Sequence, residues 1–298
     1  MVHFKVIMKI LICGSSGQLG TELIRILQGK KFEFFGFNSK EMDLSQFENV
    51  RRLIVSIKPN IIVNCAAWTN VELAESNEKD ANLCNFLGVV NLATIAKEIN
   101  SRFFTISTDY VFDGVSETPW KITDKANPKN AYGRSKYKGE KGALEIYPIG
   151  TTVIRTAWLY SPWRKNFAKS VIRLATINQK SLKVVDDQFG QPTLARDLAK
   201  FIVSLIEAEC KPGILHATNS GSTSWYNFAK QIFLEIGQDP DRIFPISTAQ
   251  FESKVERPLY SVLENTNNQD YSIKQLRNWR EALTESVSEI LFEVEKEL

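Results

Sequence analysis

Gly14-Ser15-Ser16-Gly17-Gln18-Leu19-Gly20 follows the apolar run Ile10–Cys13 and opens a stretch with Leu19, Leu23, Ile26 and Leu27 at helical spacing. A strand that turns this tightly into an amphipathic helix needs glycine wherever backbone must approach another group. The helix start adds partial positive charge suited to a phosphate. The glycines fall at the first, fourth and seventh places of the turn, not at the first, third and sixth of the commoner dinucleotide fingerprint. A plain strand-to-helix turn can carry the same glycines, so the weight of this one comes from its surroundings.

Those surroundings alternate. Further apolar runs rich in branched and aromatic residues occupy Phe32–Phe37, Ile61–Cys65, Phe103–Ser107, Thr152–Leu159, Leu182–Val185 and Ile214–Ala217. Between the early runs lie helical spacings, Val50-Leu53-Ile54-Ile57 and Leu83-Leu87-Val90-Leu92-Ile95. Strands apolar on both faces that alternate with helices predict an α/β fold, a Rossmann-type doubly wound parallel sheet between helix layers. No repeat, low-complexity tract or Pro/Gly-rich linker divides the chain. The expectation is a dinucleotide-binding domain over 8–160, with later segments returning to it, and a smaller interlocked substrate lobe over 161–298. Residues 1–7 read as an extension before Met8-Lys9-Ile10.

Composition narrows the function classes. The 298 residues are 43% hydrophobic and 24% charged, with a net charge of +3 and two histidines. The basic residues are scattered, with Lys30-Lys31 and Arg51-Arg52 the densest, too few for a nucleic-acid stripe. Cys13, Cys65, Cys84 and Cys210 lack metal-type spacing and sit in apolar runs, as buried thiols of a reducing compartment do. No run approaches a membrane span, and the start lacks a cleavable leader pattern, so a cytoplasmic protein is expected.

Two places at the carboxyl ends of expected strands fit a cofactor. Cys65, Ala66 and Ala67 are small enough for one to lie against backbone, and Asp43-Leu44 can reach an adenine. The strand Phe103–Ser107 ends in Ser107-Thr108-Asp109-Tyr110, and Tyr132 and Lys136 follow four apart on one helix face. Reducing a ketone by hydride needs a proton donor at the developing alkoxide. A tyrosine whose pKa a nearby ammonium lowers can serve, with Thr108 aligning the carbonyl.

With these motifs assembled, the chain resembles the short-chain dehydrogenase/reductase superfamily. Finer strings look like its dTDP-4-dehydrorhamnose reductase branch: Asn64–Glu75, Ser107–Gly114, Tyr132–Lys136, Arg155–Tyr160, Asp187–Thr193, Ser224–Ala229 and Arg257-Pro258. The resemblance runs from Met8 onward. It implies NAD(P)H-dependent reduction of the 4-keto group of dTDP-4-dehydro-L-rhamnose, a step toward cell-surface polysaccharide. It also implies a catalytic set of Thr108, Tyr132 and Lys136 and a cofactor held by Gly14, Ser16, Gly17, Gln18, Leu19 and Gly20. To these it adds Asn38, Ser39, Asp43, Leu44, Cys65, Ala66, Ala67 and Asn85. Substrate contacts fall to Thr69, Asp109, Tyr110, Trp158, Gln188 and Arg257. The expected assembly is a monomer or homodimer, with no nucleic-acid or membrane partner. Another nucleotide-sugar 4-ketoreductase, or a non-catalytic NADP-binding regulatory subunit like that of methionine adenosyltransferase, are the alternatives; the intact Thr108/Tyr132/Lys136 set argues against the second.

The chain departs from the branch at Cys65, Trp68 and Ile122, and Trp120 is expected to alter the rim of the site. Some relatives dimerise through magnesium bridged by glutamates. Glu22 fits one such place, but Arg196 stands where a bridging acid belongs, so no metal is expected. The second strand ends in Asn38-Ser39-Lys40 without a carboxylate at its corner. That reading predicts NADPH as the preferred cofactor, with NADH tolerated.

Overall fold

In the computed structural model, which describes residues 7–177, 181–266 and 273–298, β1 (Lys9–Cys13) sits inside a six-stranded, wholly parallel sheet. Its companions are β2 (Glu33–Phe37), β3 (Ile61–Asn64), β4 (Arg102–Thr108), β5 (Thr151–Thr156) and β6 (Gly213–His216), in the spatial order β2-β1-β3-β4-β5-β6. The chain runs outward from β1 to β2 and then returns to the other side of β1 with β3. A topological switch point therefore lies between β1 and β3, where the crossovers diverge and leave a crevice at the carboxyl ends.

The alternation of β1 side chains explains the layers. Ile10 and Ile12 face α1 (Gln18–Leu27), while Leu11 and Cys13 face α2 (Phe47–Ile57), α3 (Val89–Glu98) and α4 (Ala131–Ile146). The α1 side is completed by α6 (Ala195–Glu207), which follows α5 (Phe167–Ile177) in the chain. A second core joins α5 to α7 (Trp225–Glu235) and α8 (Trp279–Glu295), around Phe228, Phe233, Trp279 and Leu283. Both α6 and β6 come after residue 160 yet belong to the first core, so the two lobes interlock.

Three expected elements differ in detail. The run Thr152–Leu159 breaks after Thr156 because Trp158 takes a left-handed backbone, φ +45°. Leu182–Val185 stays out of the main sheet and pairs in parallel with Ile243–Ile246. Lys183 on it is exposed, which suits a ribbon covered on one side only. The helical stretch through Leu83 opens as a π-helical turn, Leu83–Gly88, where the Asn85 carbonyl meets α4 so closely that a Cβ on Gly139 would lie 2.2 Å from it. Trp120 is not at a rim: its ring stacks on Phe112 at 4.6 Å, and its backbone bridges Leu263. Residues 1–6 of the expected extension lie outside the described residues.

One buried ion pair ties α4 to the sheet. Arg155 on β5 makes a forked contact with Glu140, 2.7 Å at its closest, both side chains about 3% exposed. His216 on β6 stands 3.5 Å from the same guanidinium, and burial together with that charge pulls its pKa down to about 4. Removing one partner strands a buried charge, whereas replacing both by apolar groups does not. Glu140→Ala is therefore expected to cost on the order of 3–5 kcal/mol in urea denaturation, and Glu140→Leu with Arg155→Met markedly less. A single variant as stable as the parent would refute this account.

Candidate active site

The glycine turn is a point of backbone contact between elements. Gly14 has φ +74°, and a Cβ on it would lie 2.7 Å from the Ala66 nitrogen at the exit of β3. Gly20 in α1 packs against the turn itself: its Cβ would lie 2.3 Å from the Gly14 carbonyl oxygen. Asn64 turns the chain after β3 by accepting from the Ala66 N–H, which keeps the small residues at the cleft wall. Helix α1 begins with no side-chain cap, so its first N–H groups are left for a ligand.

A cleft of about 700 Å³ runs along these carboxyl ends. Of the residues expected to hold a cofactor, Gly14, Ser16, Gly17, Gln18, Leu19, Ser39, Asp43, Leu44, Cys65, Ala66 and Ala67 line it. Thr108, Tyr132 and Lys136 line the same cleft, as do Thr69, Asp109 and Trp158. Ser107 Oγ and Thr156 Oγ1, at the ends of β4 and β5, also face it, buried and without a hydrogen-bond partner. Such orphaned hydroxyls in a roomy polar cleft fit a ligand rich in donors and acceptors, as a nicotinamide dinucleotide is.

Other expected residues serve around the cleft instead of lining it. Gly20 acts through helix packing. Asn85 is fully engaged: its amide accepts from the Trp68 N–H and donates to the Trp68 carbonyl and to Ser135 Oγ, all at 2.9–3.0 Å. It thus pins the loop after β3 to the helix that carries Tyr132 and Lys136. Tyr110 packs edge-on to Tyr132, with its hydroxyl toward Arg257. Arg257 is committed to Glu72 at 2.7 Å, and Gln188 is buried with its amide on Thr248 Oγ1.

Asn38 calls for a correction at the β2 corner. Its side chain accepts from the Lys40 and Glu41 N–H groups, and Glu41 folds back so that its carboxylate takes the Asn38 N–H at 2.9 Å. A carboxylate does stand at the end of β2, because the turn brings the third residue after Asn38 back over it. Glu22, the place weighed for a bridging cation, is engaged by protein: Arg196 lies between the buried Glu22 and Glu289, and Trp163 Nε1 donates to Glu22 at 2.8 Å. Among the described residues no group of three or more His, Cys, Asp or Glu is placed to hold a metal.

The electrostatics of the reacting end are governed by burial. Tyr132 is hydrogen-bonded to the Thr108 hydroxyl, and burial raises its pKa well above the usual tyrosine range. Lys136 Nζ donates to the Ile106 carbonyl at 2.5 Å, and burial lowers its pKa. Burial also raises the Cys65 thiol to about 12, which makes it a poor nucleophile at the cleft wall. Trp158 stacks on Trp225, ring centroids 3.5 Å apart, and Gly190 leaves room for it, since a Cβ there would lie 2.4 Å from the indole. The sequence reading missed Trp225, Phe167, Arg164 and Lys165, which also line the cleft. The adjacent cations beside Trp163 were the only signal for the last two.

Asp109 is 2% exposed and receives the Thr108 hydroxyl at 2.9 Å. Burial lifts its pKa to about 6, against the pull of the Ser261 and Thr108 hydroxyls. The folded value lies above the unfolded one, near 3.9, so the folded state binds the proton more tightly. Its contribution to stability is present in full below about pH 4 and is lost as pH rises through 6. Asp109→Asn removes that loss. Its melting temperature should gain on the parent's between pH 4 and pH 8, by the equivalent of roughly 3 kcal/mol. A difference independent of pH would mean that the carboxyl is not held in this environment.

Comparison with known proteins fits this geometry. Residues 8–292 match the family described as the RmlD substrate binding domain. A dTDP-4-dehydrorhamnose reductase from Streptomyces griseus is 36% identical over 93% of this chain and 92% of its own length. A dTDP-4-keto-6-deoxy-D-glucose reductase from Streptomyces niveus is also 36% identical, over 93% of this chain and 95% of its own. The crystal structure of dTDP-4-dehydrorhamnose reductase from Bacillus anthracis in complex with NADP superposes with a TM-score of 0.91 at 33% identity, covering 95% of this chain and all of that one. The fold is thus shared with a solved relative along nearly the whole chain, and this chain belongs to the dTDP-4-dehydrorhamnose reductase family.

Proposed function

We propose that this chain reduces the 4-keto group of dTDP-4-dehydro-L-rhamnose to dTDP-L-rhamnose with a nicotinamide cofactor. The observation that carries the reading is the convergence of Thr108, Tyr132 and Lys136 on one cleft with the glycine turn and the uncapped start of α1. A nicotinamide dinucleotide held by the glycine turn would supply the hydride. Tyr132 stays protonated across neutral pH because burial disfavours the phenolate, so it is poised to give its proton to the oxygen of the reduced carbonyl. Thr108, its hydroxyl set by Asp109, fixes the phenol through their hydrogen bond. Lys136, anchored on the Ile106 carbonyl, places a cation at the same wall. Trp158 and Thr69 line the same cleft, which supports assigning them to the sugar.

Two measurements test this. With dTDP-4-dehydro-L-rhamnose, Tyr132→Phe should lose at least ~100-fold in kcat while its affinity for the cofactor changes little, because only a hydroxyl is removed. Turnover within a few-fold of the parent, or faster parent turnover of UDP-linked 4-keto sugars, would sink the assignment.

Cofactor choice follows from the β2 corner. NADPH remains the proposed preference, supported by Ser39 on the cleft wall and Lys40 beside it, and NADH is tolerated. The Glu41 carboxylate narrows the margin, since it can accept from a ribose hydroxyl and repels a 2′-phosphate. Glu41→Gln should raise the NADPH-to-NADH ratio of kcat/KM roughly fivefold, the scale of one exposed charge. An unchanged ratio would place the 2′ group away from Glu41.

A further inference from the structure

The segment from Ser161 to Asn166 crosses from the end of the sheet to the glycine turn and is tied to it at both ends. Gln18, the first residue of α1, accepts from Ser161 Oγ at 2.9 Å and from Asn166 Nδ2 at 3.1 Å. Between these ties, Arg164 donates from Nε to the Ser16 carbonyl at 2.7 Å. Its backbone is in the left-handed region, φ +59°, which is strained for a residue with a Cβ. The strain and the hydrogen bond together aim one particular side chain at the turn.

The bond to Ser16 uses Nε only. Among the described residues, Arg164 forms no ion pair, and neither does Lys165 beside it. Both line the cleft that Gly17 and the start of α1 also line. Two adjacent cations without an acidic partner among the described residues, one of them anchored on the turn that leads into a positive helix end, suit an anionic ligand.

We propose that Arg164 and Lys165 clamp the diphosphate of the bound dinucleotide, with Ser161–Asn166 acting as a strap closed over the glycine turn by Gln18. This rests on the nicotinamide-cofactor reading above. The phosphate chemistry has two sources in such a ligand: the diphosphate common to NADH and NADPH, and the 2′-phosphate of NADPH alone. Anchorage on Ser16, one residue before Gly17 and the start of α1, favours the diphosphate.

The test is direct binding to the full chain, followed by quenching of tryptophan fluorescence with NADH and with NADPH over a range of salt concentrations. Arg164→Ala is expected to weaken both cofactors by the same factor, about tenfold, and Lys165→Ala by less. Both should flatten the dependence of log Kd on log salt, which a merely structural change would leave alone. Lys165 makes no hydrogen bond among the described residues, so its variant tests the charge without disturbing the strap. Affinities within twofold of the parent for both cofactors would overturn the proposal, as would a loss confined to NADPH. If the parent binds neither cofactor, the functional reading falls first; if the parent binds both and the variants match it, the strap alone is wrong.

Discussion

The structure is organised by an approach of backbone to backbone that no side chain could survive. The end of β1, the exit of β3 and the first turn of α1 meet at Gly14 and Gly20, at distances where a single Cβ would collide with a main-chain atom. Close contact there lets a helix begin directly above the sheet's switch point, so its N–H groups open into the crevice rather than into solvent. From that position the rest follows. The loop after β3 must be built of small residues, its course must be fixed by side chains such as Asn64 and Asn85, and the helix bearing Tyr132 must lie close enough for Asn85 to hold both.

A second theme is that burial, more than neighbouring charge, sets the chemistry of the cleft. Tyr132 is kept as an acid, Asp109 is raised into the range of neutral solution, and Lys136 is eased toward its neutral form, each with desolvation as the leading cause. A site of this kind reacts sharply to whatever displaces its water or brings a charge near. Proton transfer here is thus coupled to occupancy, because the groups that a ligand touches are those whose ionisation the apolar walls restrain.

Much of this was legible in the residues alone. The alternation of apolar runs pointed to the parallel sheet, and the Gly14–Gly20, Ser107–Asp109 and Tyr132–Lys136 motifs named groups that line one cleft at the strand ends. What escaped had physical reasons. Glu41 comes after the turn in sequence and returns to the strand end only because Asn38 caps that turn, a three-residue loop closure that linear spacing hides. The placing of Arg164 and the strand break before Trp158 depend on left-handed backbone at residues with side chains, which no propensity anticipates. Gln188 and Arg257, expected to meet a ligand, hold Thr248 and Glu72, contacts that lie far apart in sequence.

The position of β6 bears on how the molecule comes into being. Gly213–His216 covers the outer edge of β5, and α6 covers the α1 face, yet both follow the first segments of the second lobe in the chain. While the polypeptide is being made, the first five strands emerge with β5 as an open edge and with Ile10, Ile12 and Leu23 lacking their cover. A bare strand edge beside a naked apolar face is adhesive toward other chains. The nascent domain must therefore stay unfinished, or guarded, until the 60 residues from the end of β5 to the end of β6 have left the ribosome, so assembly is governed by the order of synthesis as much as by final stability.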